Sequence, residues 1–565
     1  MVIGVVGAGC LAFIIAYRFY GRMLTRLFGL GGDEATPAHT LSDGRDFHPA
    51  RRAVLLGHHF SSIAGAGPIV GPIFATLVFG WLPAVLWIII GSIFIGGVHD
   101  LGALALSVKN GAQSIAQVAR QQLSPLASKL FLAFVWLALV YVLAVFVDLT
   151  AGTFAPPSAA GTTSALNGGA VATSSILFIV LAVALGLTLR RRPRLSLLWA
   201  SAIFVPLVFV AVYLGQRFPT PIDAAALGGL SPKHGWSLLL LAYCFVASVT
   251  PVWALLQPRD YLSSFLLYAC LGGGLIGILL ASINGDSAAI INYPAFRGFH
   301  ADNLGYLFPA LFITIACGAC SGFHSIVASG TTAKQLDRRR DALAIGYGSM
   351  LIEGMLALIS VATVTMLSVD NLGKQSPTAL FAQGLGRFFA SWGLPGHAGT
   401  GFALLALSTF LLTTLDTATR LGRYVLEELA GLKGNSVRWL STSLTLALPT
   451  LFSLLTFSDA KGNPVPTWKI IWPVFGATNQ LLGALALMVI SVWLKQQGRR
   501  VWVSAVPMLF MLSATLLALI QLVAQYRASL IGIIATLLLA LAVVLIVEAA
   551  RSLFGQPAPR SKATT

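Results

Sequence analysis

The chain has 565 residues, 57% hydrophobic and only 10% charged, with a mean hydropathy of +0.84. A soluble protein carries about a quarter charged residues, so a large soluble enzyme is excluded and an all-α polytopic membrane protein is expected. The net charge of +17 does not point to nucleic acid, because the Lys and Arg residues sit in short clusters between apolar runs, where they set membrane orientation.

In chain order, the first apolar stretch, Val2 to Tyr20, has Arg18, Arg22 and Arg26 on its far side and reads as a retained span, not a cleaved signal. About fifteen segments are long and apolar enough to cross a bilayer. They are 2–20, 54–79, 82–108, 130–150, 168–189, 196–215, 236–256, 265–283, 305–330, 343–368, 400–419, 437–458, 467–495, 502–524 and 529–549. Residues 377–392 read as one more amphipathic helix, short or interfacial. With the N-terminus outside and the C-terminus inside, the basic segments "GRMLTR", "RRRPR", "KQLDRRRD" and "KQQGRR" all fall in cytoplasmic loops. Residues 1–550 then form one transmembrane transporter domain with core repeats over about 54–495, and 551–565 form a polar cytoplasmic tail. Cys10, Cys244, Cys270, Cys317 and Cys320 lie in or beside apolar runs, so no secreted disulfide framework is indicated.

Two spans read as discontinuous. In 54–79, Gly65, Ala66, Gly67, Pro68, Gly71 and Pro72 are expected to unwind the helix; in 305–330 the segment "ACGACSGFHSIVASGTT" does the same. Lipid cannot satisfy the freed backbone groups, so such segments must be buried in protein or line a cavity. An odd offset of seven spans gives them opposite directions, as expected of two inverted repeats with extra spans, by analogy with LeuT-like transporters. In that analogy Ser408, Thr409, Thr413, Thr414 and Thr417 face the first break and offer oxygen ligands to a sodium ion; alternatively they only pack helices.

Ionisable residues at membrane depth are functional candidates. Asp100, beside His99, and then Glu353 lead as proton-coupling carboxylates. Asp416 stands one turn from Arg420, as a structural pair or a gate; Asp148 is expected to reach water, and Glu548 to pair with Arg551. His58, His59 and His324 lie at the breaks, where with Ser61, Cys320, Ser321 and Gly322 and freed helix amides they suit a carboxylate-bearing guest. Cys317, Cys320 and His324 offer only a weak metal motif, and no metal or other cofactor is expected beyond a coupling proton or sodium ion. No zinc-protease helix, nucleophile elbow or phosphate loop is present, which argues against an enzyme or an ATP-driven pump. Asn479 and Gln480 read as interhelical hydrogen-bonding groups, and "LLQPRDYL" as a corner where Pro258 ends a helix.

The blocks "GHHFSSIAGAGPIVGPIFA", "GGVHD", "LLQPRDYL", "GACSGFHSIVASGTTAKQL", "GYGSMLIEG", "TTLDTATRLGRYVLEEL" and "WPVFGATNQLLGALAL" resemble the carbon starvation protein A (CstA) family of bacterial transporters over roughly residues 50–490. The resemblance implies a multi-pass inner-membrane protein that takes up peptides during carbon starvation, or alternatively a symporter of protons with pyruvate or a similar small carboxylate. A membrane sensor without transport is the remaining alternative. The implied partners are that substrate and the lipid bilayer, with no nucleic acid.

Overall fold

The computed structural model describes residues 1–32, 34–43, 46–120, 125–155, 168–192, 195–220, 230–301, 304–368, 375–432, 434–455, 457–458, 464–527 and 530–554. The helices that matter are α1 (Val2–Phe28), α2 (Arg52–Ile63), α3 (Gly67–Phe79), α4 (Trp81–Lys109), α5 (Pro125–Phe154), α6 (Gly168–Arg191), α7 (Leu197–Arg217), α8 (Pro232–Val249) and α9 (Leu256–Ile283). They continue as α10 (Leu307–Thr314), α11 (Cys317–Cys320), α12 (Gly322–Val327), α13 (Arg339–Thr365), α14 (Pro377–Ala390), α15 (Gly396–Ala430), α16 (Asn435–Leu454), α17 (Thr467–Gln496), α18 (Trp502–Tyr526) and α19 (Leu530–Phe554). Two two-residue antiparallel ladders, His300–Ala301 with Gly305–Tyr306 and Phe457–Ser458 with Pro464–Val465, and an isolated parallel bridge between Ala50 and Leu336 are the β-structure among the described residues.

Eleven described helices are long and apolar enough to cross a membrane, and the bent pair α2–α3 raises this to twelve. The other expected spans are also helical but differ in kind. α8 and α16 are shorter and richer in polar residues, and 305–330 is divided into α10, α11, α12 and a π turn at Ala328–Thr332. Burial separates the middle from the rim. The apolar stretch of α17 is wholly buried and those of α13 and α15 are 83% buried, against 28% for α1 and α7. A helix apolar all round belongs either inside the protein or against lipid, and both kinds are present. α14 is a short helix that buries Leu380, Phe381, Leu385 and Phe388 and packs on α15, α9 and α13.

The first break is shorter than the glycines and prolines suggest. α2 ends at Ile63, and the helix resumes at Gly67 after a bend of 40°. Pro68 sits in the first turn of α3, where a missing N–H costs nothing, and Gly71 and Pro72 lie inside it. The corner expected at Pro258 is the opposite feature: Pro258 lies in the first turn of α9, so it starts that helix.

Candidate functional site

The two breaks touch. A Cβ on Gly67 would stand 2.1 Å from Cys317 Cβ, and one on Gly71 would stand 2.4 Å from the Thr314 carbonyl oxygen. Only glycine allows this backbone-to-backbone approach. A Cβ on Gly65 would meet Thr414 Oγ1 at 2.4 Å. A small cavity lies where the breaks meet, lined by Ile63, Gly67, Cys317, Ser321, Thr414 and Phe475. A larger one, between α6, α7 and α15 and lined by Ser174, Gln216 and His397, is remote from both breaks.

At the second break the freed backbone is claimed by a side chain. Asn479 of α17 accepts the Phe323 N–H at 2.9 Å and also hydrogen-bonds Ser321 and Cys317. Gly322 is pressed against α17, where a Cβ would stand 2.1 Å from Gly483 N. The helix N-terminus expected to await a carboxylate is therefore occupied by Asn479, which acts as its cap. Cys320 is buried, Ala66 carries the first α3 turn on its carbonyl, and among the described residues no group of three or more His, Cys, Asp or Glu is placed to hold a metal ion.

Beside this break lies a cluster of four buried side chains. His324 Nδ1 is 3.2 Å from Asp100 Oδ2, His324 Nε2 is 3.3 Å from Glu353 Oε2, and His99 Nδ1 is 2.8 Å from Asp100 Oδ1. Only the first has hydrogen-bond geometry; both Glu353 oxygens remain without a hydrogen-bond partner. Among the described residues neither carboxylate has a Lys or Arg ion-pair partner. Each contributing strand of backbone is adjacent to a π turn: Ser92–Gly96 before Asp100, Ala328–Thr332 after His324, and Leu343–Gly348 before Glu353. Such turns widen a helix locally and re-aim side chains. His59 reaches the same side of α2 and hydrogen-bonds Thr332 Oγ1 at 2.8 Å.

His58 and Ser61 turn away from the breaks. His58 Nδ1 is 2.6 Å from Asp260 Oδ2, and Ser61 donates to the Asp260 carbonyl at 3.0 Å. Asp416 is not the partner of Arg420. It pairs with Arg259 Nη1 and accepts from Tyr243 OH at 2.7 Å, while Arg420 donates to the carbonyls of Ala247 and Thr250. The reason is reach: α9 brings the fully buried Arg259 directly alongside α15, whereas Arg420 lies a turn further on beside the end of α8. Asp148 does not reach water alone; it pairs with Lys233 at 2.7 Å and accepts the Trp468 N–H. Glu548 and Arg551 do pair, at 3.0 Å.

The hydroxyls on α15 divide. Thr417 Oγ1 is 3.3 Å from Ser62 Oγ and Thr414 Oγ1 3.5 Å from the Ser62 carbonyl, so these two face the first break. Ser408 pairs with Ser175 of α6 and Thr413 with Ser263 of α9, away from it. The sequence reading missed Arg259, Asp260 and Tyr243. The signal is the Arg-Asp pair in "LLQPRDYL", which lies inside α9 and not at a helix-ending corner.

Outside the spans, Thr36, His39 and Ala50 fasten the segment after α1 onto Gln335–Asp337, through Thr36 Oγ1 to Leu336 O at 2.5 Å, His39 to Asp337 at 2.8 Å and Ala50 N to Gln335 O at 3.0 Å. Asp46 is held there by Tyr424 OH at 2.6 Å. Burial raises the Asp46 carboxyl, but nearby Lys334, the Tyr424 hydrogen bond, Arg420 and Arg423 outweigh it and hold the carboxyl below its ordinary value.

A family model described as carbon starvation protein CstA matches residues 1–374 and 368–518. A peptide transporter CstA of Mycobacterium tuberculosis is 32% identical over 589 residues, covering 91% of this chain and 74% of the relative. A peptide transporter CstA of Campylobacter jejuni is 31% identical, covering 93% and 80%. A pyruvate/proton symporter BtsT of Escherichia coli is 28% identical, covering 92% and 84%. Among solved structures, a manganese transporter of Eremococcus coleocola aligns with a TM-score of 0.50 at 14% identity, covering 91% of this chain and 99% of that one, which is a likeness of fold alone.

Proposed function

The chain belongs to the carbon starvation protein CstA family, and on that premise we propose that it is a proton-coupled secondary active transporter that takes up peptides. It is a multi-pass protein of the bacterial inner membrane, and its relatives are transporters, not enzymes. The observation that carries the proton coupling is the Asp100–His324–Glu353 cluster. Two buried carboxylates meet imidazoles and no Lys or Arg among the described residues. Leaving two uncompensated charges in a low-dielectric interior costs several kcal/mol, so the cluster is stable when it holds protons and strained when it releases them.

In this reading the N-terminus is outside, the C-terminus inside, and α2–α3 and α10–α12 are the broken helices of two inverted repeats within a fifteen-span domain. Substrate binds where the breaks meet, at the cavity lined by Ile63, Gly67, Cys317, Ser321 and Thr414, and His99, Asp100, His324 and Glu353 carry the coupling proton. A sodium ion at Ser62, Thr414 and Thr417 is the alternative coupling site. Proton-driven uptake of pyruvate or a similar small carboxylate is the second reading for the substrate, supported by the likeness to the Escherichia coli symporter.

The test is uptake into proteoliposomes under an inward proton gradient, comparing labelled dialanine with labelled pyruvate. Dialanine accumulation that collapses with a protonophore supports the proposal. Pyruvate accumulation instead moves the substrate to the second reading, and accumulation insensitive to the protonophore but dependent on sodium overturns proton coupling.

A further inference from the structure

The wall of the cavity where the breaks meet is largely apolar. Ile63 of α2, Val142 and Phe146 of α5, Phe323 of α12 and Phe475 of α17 face it from four helices. Each is at most 5% exposed. The rings are held from behind. Phe146 and Phe475 meet edge to face at 6.0 Å, and Trp472 backs Phe475 at 5.4 Å. Phe146 presses on the first break, where a Cβ on Gly65 would stand 3.0 Å from its Cε2. Phe323 is fixed through its N–H, which donates to Asn479.

Three polar side chains share the wall, and their hydrogen bonds are already made. Ser321 Oγ donates to Asn479 Oδ1 at 3.3 Å and accepts from Asn479 Nδ2 at 3.1 Å. Cys317 Sγ accepts from the same Nδ2 at 3.1 Å, and Thr414 Oγ1 donates to the Phe410 carbonyl at 3.1 Å. No charged side chain and no histidine is among the lining residues. The space admits little more than one water-sized group. A buried water needs about two to four polar partners, and a cavity that cannot supply them stays dry and takes apolar guests. A methyl group is close to water in size and needs no such partner.

We propose that this cavity is the pocket for a methyl-sized apolar group of the substrate, and that Phe146 and Phe475 set its size limit. The pocket rests on the transporter reading and narrows its substrate class. The side chain of an alanyl peptide fits, and so does the methyl of pyruvate; a leucyl or phenylalanyl side chain must displace a ring that is backed by its neighbours. The charged ends of either guest find no partner in this wall and lie outside it.

The experiment uses the full chain in proteoliposomes under an inward proton gradient. Uptake of labelled dialanine is competed with unlabelled dialanine, dileucine and diphenylalanine. In parallel, labelled pyruvate is competed with pyruvate and with 4-methyl-2-oxopentanoate, in which an isobutyl group replaces the methyl. For whichever guest is taken up, the larger competitor is expected to need at least about tenfold more for half-inhibition in the unaltered protein, and to come within about threefold in Phe475→Ala and Phe146→Ala. A ring that only holds helices together lowers uptake of all guests alike and leaves this ratio unchanged. Phe402→Ala is the control of that kind, because Phe402 packs on Phe209 and Phe389, apart from the cavity. Equal competition by large and small guests in the unaltered protein, or an unchanged ratio in both Phe475→Ala and Phe146→Ala, overturns the pocket. The first comparison needs no variant, and Phe475→Leu replaces an alanine variant that does not fold. Absence of uptake for dialanine and pyruvate alike overturns the transporter reading itself, and so is told apart from uptake without size selection.

Discussion

Replacing Gly67 by alanine places a carbon 2.1 Å from Cys317 Cβ and 2.8 Å from its Sγ. That is roughly 1.5 Å inside the normal separation of two carbons. The opposing atom is a Cβ fixed to the backbone of α11, not the tip of a flexible side chain, so the two breaks must move apart. Overpacking of this kind costs about 1–3 kcal/mol, and the rigid opponent puts this case near 3 kcal/mol. At about 1.4 kcal/mol per factor of ten, the closed arrangement of the breaks becomes roughly a hundredfold rarer. Valine is expected to abolish uptake altogether. The companion change is Cys317→Gly, which removes both clashing atoms and leaves Cys317 Cα as the nearest contact at 3.5 Å. Gly67→Ala with Cys317→Gly is therefore expected to recover about 2 kcal/mol of the roughly 3 kcal/mol clash, because the intrinsic cost of a new helical glycine, about 1 kcal/mol, remains; that cost is shared with Cys317→Gly alone and cancels from a coupling energy of about 3 kcal/mol. The assay is initial uptake into proteoliposomes, with thermal unfolding of the same preparations. A folded Gly67→Ala variant with unaltered uptake, or a double variant no better than the single one, refutes the claim that the breaks meet at these atoms.

Asn479→Ala leaves the Phe323 N–H and the Ser321 hydroxyl without their partner at the second break, and about 1–3 kcal/mol of stability is expected to be lost, read as a lower midpoint in thermal unfolding. The Asp46 carboxyl is held below its ordinary value, chiefly by Lys334 working against burial, so its contribution is complete above the ordinary carboxylate range and is lost as the pH falls through the depressed value. Hydrogen exchange at the Ala50 amide is expected to quicken over that acid range in the unaltered protein, and to be fast at all pH values in Asp46→Asn.

What could be read in advance follows from how far each signal reaches along the chain. The membrane class, the two interrupted helices and the family were legible because hydropathy, glycine and proline act locally. Asp100, Glu353 and His324 stand out as candidates because an ionisable group in an apolar run is costly enough to need a reason. Pairing was not legible. Asp416 and Arg420 are one turn apart on α15, yet Asp416 binds Arg259, which is 157 residues away in sequence. His58 and His59 are adjacent, and the 100° step between helical neighbours sends them to different clusters. Ser408 and Thr417 share a helix, but only Thr417 reaches Ser62, because the face of α15 that meets α6 differs from the one that meets α2.

The most direct test of proton coupling is Glu353→Gln, which keeps the size of the side chain and its place beside His324 while removing one buried charge. Measured in proteoliposomes with labelled substrate, the variant is expected to retain exchange of substrate across the membrane at zero gradient and to lose accumulation driven by an inward proton gradient. Full proton-driven accumulation in Glu353→Gln would contradict the account, because Glu353 would then carry no part of the coupling.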